Sequence, residues 1–153
     1  MNCDVAMCGS YGVVAVVARN SEATILGIWC KKFNIQSPTT GEAFAIRCAL
    51  ELARINRRTK IICEGDCLHV ISALQMKKEP HWSILPIIED SLLIAKSFSS
   101  CFFSWVPRKF NVMAHSVAQW ARRNGYLTTD HWINFPSNIS LNLMNRCSLS
   151  SPY

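Results

Sequence analysis

The chain has 153 residues, about one domain's length, with 16 Lys plus Arg against 10 Asp plus Glu and a formal net charge of +6. Half of it is hydrophobic and 17% is charged, a balance that excludes a disordered chain. No stretch of about 20 residues is predominantly apolar, and the longest candidate, Ser97 to Pro107, is too short to span a membrane. The basic excess favours anionic partners such as nucleic acid.

The first third reads as strands. Cys3, Val5 and Met7 alternate with Asn2, Asp4 and Ala6, the period of a two-faced strand. Gly9 to Gly12 is a turn, Val13 to Ala18 a buried strand, Arg19 to Glu22 a turn, and Thr24 to Trp29 a third strand extending toward Phe33. Ser37-Pro38-Thr39-Thr40 offers helix caps, and Glu42 to Ile55 has helical periodicity. Lys60 to Cys63 is a short strand, Cys67 to Met76 a helix, and Ile84 to Phe98 a third helix. Cys101 to Val106 is a strand stopped by Pro107, and Val112 to Arg123 is a last helix before Asn124-Gly125. The expected architecture is α/β, a five-stranded mixed sheet with three antiparallel strands, then two parallel ones, flanked by helices. Residues 1–125 form the domain. Residues 126–153 read as an irregular tail that packs through Trp132 and Phe135.

The eight cysteines are scattered, with no Cys-x-x-Cys pair, so neither a disulfide framework nor zinc is expected. They read as small buried hydrophobes, reduced in the cytosol or nucleus. A secretory leader is not expected, since Asp4 follows the start with no basic-then-apolar run, and Asn138-Ile139-Ser140 is read as a chance glycosylation sequon.

Three carboxylates stand in odd places. Asp4 is in mid-strand, where Asp is depleted; an exposed face would explain it equally well. At about 100° per residue, Glu42 falls on the meridian of Ala45, Ile46, Ala49 and Ala53, at the start of the helix. A carboxylate there needs a cation or hydrogen bonds, unless it serves only the helix dipole. Asp66 ends a strand and precedes a helix, a natural N-cap and also the usual place for ligand chemistry in such sheets. Three carboxylates brought together would repel one another unless divalent cations neutralise them, and oxygen-only ligands suit magnesium or manganese.

These positions lie in Asn2-Cys3-Asp4, Gly41-Glu42-Ala43-Phe44-Ala45 and Ile62-Cys63-Glu64-Gly65-Asp66-Cys67. With Trp105-Val106-Pro107-Arg108, Asn111 and Ala114-His115-Ser116-Val117-Ala118, in that order and spacing, the chain resembles the ribonuclease H-like domains common in plant genomes, of the reverse-transcriptase-associated type. The resemblance covers about residues 1–125. It implies the ribonuclease H-like fold, an RNA–DNA hybrid as substrate and hydrolysis of its RNA strand with two Mg2+ or Mn2+ ions. It carries Asp4, Glu42 and Asp66 over as metal ligands and catalytic residues. The fourth acidic position of the pattern holds His115, as in many plant members. Imidazole is a poor magnesium ligand, so His115 is expected to be a substitute ligand or a proton carrier. A catalytically weak or inactive nucleic-acid-binding module is the alternative.

Arg108, Lys109 and Arg122 are expected to contact phosphates, and Asn111 backbone or sugar. Arg54, Arg57, Arg58 and Lys60 form a second basic cluster, and Lys31-Lys32 a third. Trp82 and Trp105 are read as core residues before stacking platforms. Val13, Ala15 and Ala23 stand where the resembled hairpins often have glycine, which predicts strained turns. With only three residues before Asp4, the first strand is expected to be short and to hold Asp4 loosely, as a truncated gene start would leave it.

Overall fold

The computed structural model describes residues 1–125 and 132–135. The elements are β1 (Asn2–Cys8), β2 (Tyr11–Arg19), β3 (Ile25–Asn34), α1 (Pro38–Ile55), β4 (Lys60–Gly65), α2 (Leu68–Leu74), α3 (Leu85–Ala95), β5 (Ser100–Trp105), α4 (Val112–Arg123) and β6 (Ile133–Asn134), with a 3-10 turn at Arg108–Phe110. They form a mixed sheet in the order β5-β4-β1-β2-β3-β6. β1, β2 and β3 are antiparallel, and β4 pairs in parallel with both β1 and β5.

The alternation read from the sequence decides which helix covers which face. Cys3, Val5, Val14 and Val16 point to one side, where they pack with the apolar stripe of α1 and with α2 and α3. Ala6, Val13, Ala15 and Val17 point to the other and meet Ala114, Val117, Ala118 and Ala121 of α4. Small residues on both sides of that second interface let the α4 backbone come close to the sheet. Ser37 caps α1 as its position suggested, its Oγ accepting the Thr40 N–H at 3.1 Å, and Pro38 opens the first turn.

Four expectations are corrected. First, the sheet has a sixth strand. Ile133–Asn134 pairs with β3, and Phe135 is buried beside α4, because the tail's apolar residues cover an otherwise open sheet edge. Residues 126–131 and 136–153, with His131, the sequon and Cys147, lie outside the described residues. Second, β1 is neither short nor loosely held: it spans 7 residues and lies between β2 and β4, paired on both sides. Third, the strain expected at Val13 and Ala15 is absent, since both lie inside β2 as the strand reading had them, and of the three residues only Ala23 takes a left-handed conformation, at φ 62°. Fourth, Trp82 and Trp105 are not core: they are 77% and 43% exposed.

Cys3, Cys48 and Cys63 are buried free thiols and Cys30 is buried too, as their apolar surroundings suggested, and burial pushes the Cys63 thiol up to about 12. Among the described residues no helix is long and apolar enough to cross a membrane.

Candidate metal centre and nucleic-acid surface

Asp4 sits in the middle of the central strand, opposite Ala15, and is 2% exposed. The β1–β4 register is the single pair Asn2–Glu64, so the two strands part just before Asp4 and Asp66. Asp66 follows the last residue of β4. It does not cap α2: Cys67 holds that position, without a side-chain cap bond, so the Asp66 carboxylate is not spent on capping. Its main-chain carbonyl accepts the Trp105 Nε1–H at 3.0 Å, which fastens the β4 end to the β5 end.

Glu42 is the fifth residue of α1, one turn inside a helix that begins at Pro38 rather than at Glu42, so it does not serve the helix N-terminus as a first-turn acid. The preceding residue, Gly41, allows this approach. A Cβ there would lie 2.9 Å from the Val5 Cγ1 of β1, and the β-branched valine has little freedom to yield. The result is that one oxygen from each of Asp4, Glu42 and Asp66 lies within 4.8 Å of the others.

The electrostatics follow from this crowding. Burial first, then the negative charges of Asp4 and Asp66, push the Glu42 carboxyl up to about 9. Burial also raises Asp4, opposed mainly by its hydrogen bond with His115. Without a cation, then, the cluster holds a proton. An oxygen-only set crowded closely enough to retain a proton fits a hard divalent ion.

His115, on α4, is not one of the three converging groups. Its Nδ1 lies 2.7 Å from Asp4 Oδ2 and 3.3 Å from an Arg108 amino group. One nitrogen cannot donate to Asp4 and accept from Arg108 at once. The shorter contact to a carboxylate makes Nδ1–H the donor, which leaves Nε2 with its lone pair in the neutral ring. Arg108 also places its Nε 4.0 Å from Asp66 Oδ2, a contact that sequence spacing did not reveal.

The other expected nucleic-acid contacts are placed unequally. Arg108 and Lys109 are exposed, and Lys109 lies over the Phe110 ring. Arg122 is half-buried and donates to Gln119 Oε1 at 2.9 Å. Asn111 is 1% exposed and donates to the Cys3 carbonyl at 2.9 Å. So placed, its amide ties α4 to β1 next to Asp4 and is shielded from an approaching sugar or phosphate. A polar residue at a helix start reads equally well as a surface contact, so the sequence held no signal for this role.

Sheet order, helix placement and acidic cluster together define a ribonuclease H-like α/β domain. The family model described as reverse transcriptase-like matches residues 2–121, and the chain belongs to that family. Among solved structures, RNase H1 of the halophilic archaeon Halobacterium salinarum is 20% identical, with a TM-score of 0.75 over 80% of this chain and 95% of that one. LC11-RNase H1, from compost and solved with an RNA/DNA hybrid, is 14% identical, with a TM-score of 0.73 over 81% and 96%. The N-terminal RNase H domain of a Mycobacterium tuberculosis protein is 18% identical, with a TM-score of 0.71 over 78% and 89%. The search of curated proteins found no match.

Proposed function

We propose that this protein is a divalent-metal-dependent endonuclease that hydrolyses the RNA strand of an RNA–DNA hybrid. The observation that carries this reading is the convergence of Asp4, Glu42 and Asp66 within 4.8 Å from three separate elements. Those three carboxylates would hold the metal, Mg2+ or Mn2+. Divalent ions held there would supply an activated water and stabilise the leaving oxygen of a phosphodiester. Asp4 fixes the His115 ring through Nδ1, and the free Nε2 carries a proton to or from the reacting oxygen. Arg108 and Lys109 draw the phosphate backbone toward the cluster. Hybrid geometry is read through groove shape and 2′-hydroxyls rather than base edges. The same fold in LC11-RNase H1, solved with an RNA/DNA hybrid, supports this substrate class. Buried free thiols fit a reducing compartment, the cytosol or nucleus.

A specific observation favours a second reading, a weak or inactive binding module. His115 engages the Asp4 oxygen that a metal would use, and Arg108 already supplies positive charge to the cluster. One experiment separates the two: incubation with an RNA–DNA hybrid in magnesium and in manganese, beside Asp66→Asn. Cleavage abolished by the substitution supports the nuclease. Salt-sensitive binding without cleavage in either metal supports the module. No cleavage and no binding at low salt contradicts both.

A further inference from the structure

α4 packs on β1, β2 and β3 on its side of the sheet. Among the described residues nothing covers the β4–β5 half of that face. Ile62 and Phe102 are direct cross-strand partners there, 52% and 64% exposed. They lie in an open groove of about 600 Å³. Its rim carries Arg19, Arg58 and Lys60 against a single acid, Glu64. Arg58 and Lys60 belong to the second basic cluster of the sequence, and neither is drawn into an ion pair among the described residues. An aromatic face edged by free cations is complementary to a strand of nucleic acid: the ring stacks a base, the cations meet phosphates.

The groove also borders the surface formed by Lys109 and Phe110, next to the Arg108 that reaches Asp66. A smaller depression of about 280 Å³, lined by Lys109, Phe110 and Asn111, shares Asn2 and Arg19 with it. At that seam Arg19 donates to Asn2 Oδ1, and the buried Asn2 Nδ2 keeps an N–H without a partner. Ile62 lies four residues before Asp66 along β4, about 13 Å at strand rise.

We infer that this face is a second nucleic-acid site, which takes single-stranded nucleic acid continuing from the duplex held at the metal centre. The inference rests on the nuclease reading only for where the duplex lies. The stacking groove is a property of the β4–β5 face itself.

The test compares three fluorescein-labelled probes by anisotropy in chelator: a blunt hybrid, the same hybrid with a single-stranded extension, and the single strand alone. The extension tightens binding about tenfold, the effect of one stacked base with its phosphate contacts. Phe102→Ala, a change at an exposed side chain, removes that advantage and leaves blunt-hybrid affinity as it was. Arg58→Ala with Lys60→Ala lowers the salt slope for the single strand by roughly 0.7 per cation removed. The inference is overturned if the extension adds nothing, or if its advantage survives both variants. It is also overturned if light scattering shows a dimer that Phe102→Ala dissolves, since the face would then belong to a second copy. Failure to bind the blunt hybrid counts against the nuclease reading alone. Single-strand binding that Phe102→Ala abolishes would still support the groove.

Discussion

Glu42→Gln removes one carboxylate from the cluster while keeping its size. In the metal-free protein this residue has a carboxyl held at about 9, against about 4.3 in an unfolded chain. A carboxyl raised in the folded state favours folding in its protonated form. Its contribution is therefore fully present below the unfolded value and is lost as pH rises toward about 9. The maximal slope is about 1.4 kcal/mol per pH unit. Between about pH 5.5 and about pH 8 the loss is on the order of 3 kcal/mol, or roughly 6–12 °C in melting temperature for a chain of this size. Asp4, raised by burial, adds to it with the same sign. The assay is thermal unfolding in chelator across this range, read as the difference between parent and variant, so that titrations common to both cancel. The parent should lose stability with rising pH, and Glu42→Gln should lose much less. Equal pH dependence in the two proteins, or a parent that gains stability with pH, would refute the crowding argument.

His115→Asp removes the N–H that Asp4 accepts and adds a like charge beside it, so the metal-free protein should melt lower while manganese binds more tightly, read by unfolding in chelator and by titration. Gly41→Ala gains about 1 kcal/mol of helix propensity but presses a methyl against Val5, so it should destabilise the fold and weaken metal binding together; a more stable protein with unchanged affinity contradicts the close approach. Ala23→Gly relieves a left-handed residue at φ 62° and should stabilise by about 0.5–1 kcal/mol, measured by denaturant unfolding.

Much of this was legible in the chain because two periodicities were clean. The strand alternation around Val5 and the apolar stripe behind Glu42 each fix a side, and a polar residue out of place on either signals its neighbours. Asp66 needed only its position at a strand end. What the chain concealed depends on partners distant in sequence. Asn111 reads as a surface contact until the Cys3 carbonyl is placed beside it. Arg108 reads only as a phosphate contact until the 3-10 turn at Arg108–Phe110 brings it to Asp66. β6 is 2 residues long, below any periodicity, and only the open edge of β3 explains it.

The most direct measurement is a calorimetric manganese titration of the parent protein beside Asp4→Asn, Glu42→Gln and Asp66→Asn. If the three carboxylates act as one cation site, the parent binds manganese and each substitution weakens it by about tenfold or more, the loss of one anionic oxygen ligand. A parent that takes up no manganese, or variants that bind it as well as the parent, would contradict the account at its centre.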